Sequence, residues 1–200
     1  QAFDKLGWHW WPSDSYINSL PYDGRGACNN CGPNGLGCYV RAKGSTDVTY
    51  WPKATKNGVV LKTRSRVFEI TVDGQGRCTG AAYYDRDGRV QQQKARAVVV
   101  ACNGVGTPRL LLASRSKHHP NGLGNSSGLV GKNLMFHPYA MVTGVFDQPL
   151  EGYKGAIGCC IMSQEFYETD PSRGFLRGYS FEILRGLDQV RGLEEHAGLG

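Results

Sequence analysis

One segment, residues 95–114, restricts the fold of this chain more than any other. Ala95 to Ala101 is a run of mostly small and β-branched residues, which is typical of a strand buried on both faces of a parallel sheet. The turn Asn103-Gly104-Val105-Gly106 follows at once, and apolar residues 110–113 continue at helical spacing. Thr107 suits the N-cap and Pro108 the first helical position. Because α/β proteins hold phosphates and nucleotides at such strand–turn–helix junctions, we predict a ligand site at this turn.

The sequence before this segment predicts a small antiparallel sheet. Arg66 to Val72 and Cys78 to Asp85 alternate in strand fashion, and Asp73-Gly74-Gln75-Gly76 supplies a hairpin turn between them. Val59 to Thr63 alternates similarly, and Asp87-Gly88 marks a second turn. Thr46 to Ala54 predicts a helix, although Pro52 lies within it. The expected fold class is therefore mixed α/β, with a small antiparallel meander beside a buried parallel strand.

A domain boundary is expected near His137-Pro138. Residues 118–138 have loop composition, and alternation over Tyr139 to Phe146 then begins a new set of strands. We assign residues 1–137 to one domain and residues 138–200 to the start of a second, β-sheet domain. The chain begins at Gln1 and ends in a glycine-rich stretch at Gly200, so we interpret it as an internal piece of a longer protein.

Charge and hydropathy argue against two classes of partner. The net charge of +6 and the isoelectric point of about 9.0 would suit a polyanion, but the lysines and arginines are scattered among acidic residues. We therefore expect no nucleic-acid partner. The longest apolar runs, 97–102 and 110–113, are far too short to span a bilayer, so direct membrane insertion is not expected either.

Segment 95–114 resembles the second signature of the glucose–methanol–choline (GMC) oxidoreductases, whose cofactor is FAD. In that family the strand ends in a small-residue turn against the FAD, and a Thr-Pro or Ser-Pro pair opens the next helix. Asn103 stands where the family usually has glycine, and asparagine tolerates a positive φ better than most residues. The resemblance implies that residues 1–137 are the middle and C-terminal part of a Rossmann-like FAD-binding region, including a cysteine-bearing loop, and that residues 138–200 begin a substrate domain. The cofactor-binding residues that it implies are Ala101, Asn103, Gly104, Thr107, Pro108 and, in the meander, Val67, whose main chain would pair with the adenine.

Three cysteines raise a separate question. Cys28, Cys31 and Cys38 have C-x2-C-x6-C spacing, and thiolates at short spacing ligate zinc or iron–sulfur clusters. Their segment, 25–53, resembles the cysteine-bearing segment of bacterial gluconate and sugar dehydrogenase flavoprotein subunits, where some members relay electrons through a cluster. That branch often has a further cysteine where this chain has Asn34. Two interpretations stay open: the three residues are metal ligands, or they are structural thiols that pack as small hydrophobic groups.

The resemblance implies an enzyme that oxidises a CH–OH group of an alcohol, sugar or sugar acid by hydride transfer to FAD. The partners that it implies are the small-molecule substrate and an electron-transfer subunit or acceptor. The family's catalytic histidine motifs and its G-x-G-x-x-G phosphate loop do not occur in this sequence, so no catalytic residue is assigned. The alternative is a zinc- or iron–sulfur-stabilised binding or electron-transfer module without substrate chemistry of its own.

Overall fold

The computed structural model describes residues 2–155 and 158–185. Along this part of the chain the elements are α1 (Ala2–Leu6), β1 (Trp11–Pro12), α2 (Thr46–Lys56), β2 (Arg66–Val72), β3 (Cys78–Tyr84), β4 (Val90–Lys94), α3 (Asn103–Ala113), β5 (Gly158–Ser163) and β6 (Phe181–Arg185), with short 3-10 helices at Asn34–Leu36 and Pro171–Arg173. The chain divides into two compact units. One unit is Val60–Thr143, and the other combines the chain up to Val59 with the chain from Gly144 onward. The mixed α/β class with small antiparallel sheets is therefore confirmed.

Strands β2, β3 and β4 form an antiparallel sheet in that order, as the hairpin signals predict. Both turns use the same local chemistry. The carboxylates of Asp73 and Asp85 each accept hydrogen bonds from the backbone N–H groups two and four residues later. These bonds, above all those from Arg77 and Arg89, hold the pKa of each carboxyl below its usual value. Each hairpin is thus fixed by contacts within a few residues of sequence.

The most buried apolar residues described in this unit lie on its sheet. Ile70 on β2 and Ala82 on β3 are each only 3% exposed, and α3 packs against β2. The register of β2 on β3 shifts between Val67 and Glu69, which is the signature of a β-bulge. Phe68 lies in this bulge, and its ring packs on that of Tyr84 with 4.5 Å between centroids. The bulge therefore fixes how β2 meets the rest of the sheet.

The other unit is built around a second antiparallel sheet, in which β5 lies between β1 and β6. Ser163, at the end of β5, is fully buried. Aromatic rings cover this sheet: Trp8 meets Phe166 edge-on at 5.0 Å and stacks on Phe181 at 5.1 Å. These contacts attach the start of the described chain to β6.

Two helices differ from the sequence expectation at their ends. Helix α2 continues through Pro52 to Lys56, beyond the predicted end at Ala54. Helix α3 begins at Asn103, so Thr107 is not its N-cap and Pro108 lies inside it. The earlier start has a local cause, because the Asn103 side chain itself satisfies the first N–H groups of the helix.

Three stretches expected to be strands, 59–63, 95–101 and 139–146, are not paired into a ladder anywhere in residues 2–155 and 158–185. A β-strand needs a neighbouring strand for its backbone hydrogen bonds. The side chain of Val99 is 89% exposed, so nothing in the described chain packs over it. The described residues accordingly show the mixed α/β class without the parallel, Rossmann-like sheet. In the same residues no helix is long and apolar enough to cross a membrane.

The division of the chain does not follow a single boundary at residue 137. Trp11 and Pro12 of β1 pair with Met162 and Ile161 of β5, so chain from both sides of that position shares one sheet. The assignment of residues 1–137 and 138–200 to an FAD-binding and a substrate domain stays a prediction. Positions 186–200 of the second predicted domain lie outside the described residues.

Candidate functional site

The turn before α3 is organised by the side chain of Asn103. Its backbone has a φ of 60°, in the left-handed region that glycine and asparagine tolerate best. Its Oδ1 atom accepts hydrogen bonds from the N–H groups of Val105 and Gly106, both at 3.0 Å. Asparagine therefore supplies the backbone conformation for which glycine is suited and adds a cap that glycine lacks.

Thr107 closes the same turn from inside the helix. Its Oγ1 atom accepts a hydrogen bond from the backbone N–H of Cys102 at 3.0 Å. Pro108 comes next, half-buried in the helix interior, and its missing N–H removes the bond that the Gly104 carbonyl would accept in a regular helix. Thr107 and Pro108 thus shape the backbone of the turn rather than begin the helix.

The two glycines of the turn are needed for different reasons. A Cβ atom on Gly106 would lie 3.1 Å from Cys102 Cβ, so this glycine is required by the packing of the turn on itself. A Cβ on Gly104 would meet only Leu134 Cδ1, at an ordinary 4.0 Å. Ala101, Asn103 and Gly104 are exposed, so the backbone around Gly104 is accessible to an approaching ligand, while the N–H groups of Val105 and Gly106 already donate to Asn103. These residues fit the FAD contact that the sequence resemblance implies.

Val67, the residue expected to pair with adenine, lies on β2, an edge strand of the described sheet. One side of β2 pairs with β3, where Val67 faces Tyr83, and its other side is not paired by any strand of the described chain. Val67 is 42% exposed and adjoins the β-bulge. Its main chain therefore belongs to a strand that has an edge free of β-pairing, as recognition of a planar ligand edge requires.

Ser114 joins the strand with Val67 to the helix with Asn103, although no sequence motif marks it as a site residue. It is 3% exposed, and its Oγ atom accepts a hydrogen bond from the buried Ile70 N–H at 2.9 Å. The hydroxyl donates in turn to the Leu110 carbonyl at 2.7 Å. A serine just after an apolar helical run has no pattern in sequence that reveals such a partner, because Ile70 lies 44 residues away.

Two histidines without an expected role complete the same junction. His118 Nε2 donates to the Gly74 carbonyl at 2.6 Å, and His119 Nε2 donates to the Gly76 carbonyl at 3.0 Å. Both carbonyls belong to the turn between β2 and β3. The segment that follows α3 is therefore fastened to the meander at both β2 and its hairpin turn.

The three cysteines lie in the other unit and line one cavity of about 320 Å³. Asn34, 9% exposed, lines the same cavity. All three are free thiols; Cys31 is exposed, and the other two are half-buried. In the described part of the chain no group of three or more His, Cys, Asp or Glu side chains is placed to hold a metal ion. The cysteines share a cavity, and their role as metal ligands stays a prediction.

A family model described as GMC oxidoreductase matches residues 11–139. The chain is 44% identical over 189 residues to 2-methyl-1,2-propanediol dehydrogenase of Mycolicibacterium austroafricanum, which covers 94% of this chain and 34% of that protein. It is 38% identical over 141 residues to the fructose dehydrogenase large subunit of Gluconobacter japonicus, covering 69% and 25%. It is 28% identical over 209 residues to the gluconate 2-dehydrogenase flavoprotein of Pantoea cypripedii, covering 96% and 34%. The chain thus spans about a quarter to a third of the length of these relatives.

Proposed function

Since the chain belongs to the GMC oxidoreductase family, a family of FAD-dependent enzymes, we propose that its whole protein oxidises a CH–OH group of an alcohol, sugar or sugar acid. The family model covers more than half of the chain, including the meander and the turn before α3. The comparisons give no support to a metal-stabilised module without chemistry of its own. The single observation that supports the proposal most is the open turn at Gly104, with Asn103 at positive φ, inside the matched range.

The residues proposed to hold FAD fall into two groups. Ala101, Asn103 and Gly104 present open backbone at the turn, where Thr107 and Pro108 fix its shape. Val67 contributes main chain from the edge of β2. When bound, FAD supplies the hydride acceptor for oxidation of the substrate carbon. The residues of this chain position that acceptor, and we assign the proton-accepting base to none of them.

We further propose that residues 95–101 form a strand of a Rossmann-like parallel sheet in the whole protein, with residues 1–137 in its FAD-binding region and 138–200 beginning the substrate-binding domain. The run of small and β-branched residues before the turn supports this, because such runs are suited to strands covered on both faces. The relatives' lengths leave ample chain to provide the neighbouring strands.

For the substrate we propose a small polyol first. The relative with 44% identity is named for a 1,2-propanediol, and others are named for fructose and gluconate. All of these molecules have a hydroxyl-bearing carbon that also bears hydrogen. An electron-transfer subunit or acceptor is the partner proposed for reoxidation of FAD, since two relatives are named as a large subunit and a flavoprotein.

Anaerobic flavin reduction tests this function in the full-length protein. We expect the purified protein to show visible flavin absorbance and 2-methyl-1,2-propanediol to bleach it. The matched control is 2-methyl-2-propanol, a tertiary alcohol that has no hydrogen on its carbinol carbon and therefore no hydride to give. The proposal would be contradicted if the protein contained no flavin, or if diols, sugars and sugar acids all failed to bleach it.

A further inference from the structure

A buried hydrogen-bonded junction joins the two parts of unit Val60–Thr143 to which FAD contacts are assigned. Helix α3 has 11 residues, so Asn103 at its start and Ser114 just beyond its end are about 16 Å apart along a rigid rod. On β2, Val67 and Ile70 are three residues apart, or about 10 Å. The bond between Ser114 Oγ and Ile70 N–H therefore connects the helix and the strand on which proposed FAD contacts lie.

The hydroxyl of Ser114 is suited to this connection because it donates and accepts a hydrogen bond at the same time. It donates to the Leu110 carbonyl within the helix and accepts from Ile70 across to the strand. The Ile70 N–H donates to Ser114, and Ile70 itself is only 3% exposed. Without the hydroxyl, this donor would be buried with no acceptor, which is a costly state.

We propose that Ser114 is a positioning residue for FAD: it sets β2 against α3, so that the Val67 main chain and the Asn103–Gly104 turn are held at the separation that one FAD molecule requires. This inference rests on the proposed function. Ser114 itself does not contact the cofactor; it acts through the strand and the helix that it joins. Loss of its hydroxyl would therefore loosen the relative placement of the two contacts while each contact remains intact.

The experiment compares variants of the full-length protein after removal and readdition of FAD. Ser114→Ala removes the hydroxyl, and Ser114→Thr retains it. Ser163→Ala is the control, because Ser163 is also buried and its Oγ atom accepts a backbone hydrogen bond, from the Glu165 N–H at 3.4 Å, in the other unit. The measurements are the FAD dissociation constant, the visible circular dichroism of bound flavin and the thermal midpoint of the apoprotein.

For Ser114→Ala we expect the FAD dissociation constant to rise about tenfold or more, as loss of one buried hydrogen bond at a binding element would give. The flavin circular dichroism should change as well, and Ser114→Thr should restore both quantities. Ser163→Ala should lower the thermal midpoint and leave FAD affinity within about twofold of the unchanged protein, a difference worth less than half of the tenfold step. If Ser114→Ala does not fold, Ser114→Cys takes its place, because sulfur retains the shape and weakens both hydrogen bonds.

Two results would overturn the inference. In one, Ser114→Ala lowers the thermal midpoint while FAD affinity and flavin circular dichroism stay unchanged, which is the behaviour of a merely structural serine. In the other, Ser163→Ala weakens FAD binding as much as Ser114→Ala does, which would make the effect one of general stability. An unchanged protein that binds no FAD would overturn the proposed function itself, and it is recognised before any variant is made.

Discussion

Replacement of Asn103 by alanine and by glycine should reverse the usual order of helix stability. A helix with alanine at an interior position is normally more stable than one with glycine there, by about 1 kcal/mol, because glycine loses more backbone freedom on folding. Asn103 has a φ of 60°, and an alanine there would be strained by about 1–2 kcal/mol. Glycine adopts the same φ without that strain.

The magnitude follows from adding the two contributions of Asn103. Both substitutions remove the Oδ1 atom that accepts from Val105 and Gly106, which costs roughly 1 kcal/mol for a helix cap. Asn103→Ala adds the backbone strain, for a total of about 2–3 kcal/mol. Glycine's own loss of backbone freedom, roughly 0.5–1 kcal/mol, offsets part of this strain, so Asn103→Gly should be the milder change by roughly 1 kcal/mol.

Urea unfolding of the full-length protein without flavin measures the difference, and the same helix provides its control. Arg109 is exposed in the interior of α3, so Arg109→Ala should be more stable than Arg109→Gly by about 1 kcal/mol. If alanine were the more stable replacement at both positions, Asn103 would not have a left-handed backbone, and the account of the turn would be refuted.

Three further predictions concern flavin, pH and iron. Gly104→Ala should weaken FAD retention in the full-length protein without lowering its urea midpoint, since the added Cβ has room within the chain. The control is Gly74→Ala, also in open space, which should leave the flavin content unaltered. Equal flavin retention in the two variants would show that FAD does not approach Gly104 closely. Backbone hydrogen bonds lower the folded-state pKa of Asp73, so its contribution to stability is present above its usual pKa of 3.8 and is lost as pH falls through the lower, folded-state pKa. The difference in urea midpoint between wild type and Asp73→Asn should therefore shrink on acidification, and a difference independent of pH would contradict this. If Cys28, Cys31 and Cys38 are cluster ligands, the full-length protein should contain iron and acid-labile sulfide, and Cys38→Ser should lower the content of both. Free thiols without iron would identify the three cysteines as packing residues.

The meander could be predicted from sequence because its determinants are local. Asp73 and Asp85 accept hydrogen bonds from groups two and four residues later, and each turn therefore forms from a single short segment. The sequence also indicates that position 103 tolerates a left-handed backbone, since asparagine adopts a positive φ more readily than most residues. In these cases the groups that determine the local structure are only a few residues apart in sequence.

The remaining features depend on partners that are distant in sequence. The bond from Ile70 to Ser114 joins residues 44 positions apart, and those from His118 and His119 to the β2–β3 turn span similar distances. Helix α3 begins before the opening that Thr107-Pro108 predicts, because the Asn103 side chain caps its first N–H groups. Strand pairing of 95–101 requires a neighbour that the described chain does not supply.

The pairing of Trp11 with Met162 also has a consequence for how the chain folds during its synthesis. About 150 residues separate the two partners, and ribosomes add roughly 5–20 residues per second, so β1 emerges about 8–30 s before its pairing strand exists. The β2–β4 meander needs no such delay, because its contacts close within about 30 residues. During this interval the tryptophan-rich segment around β1 has no β5 to pair with. Its aromatic side chains then stay exposed, and exposed apolar surface of this kind is what chaperones bind.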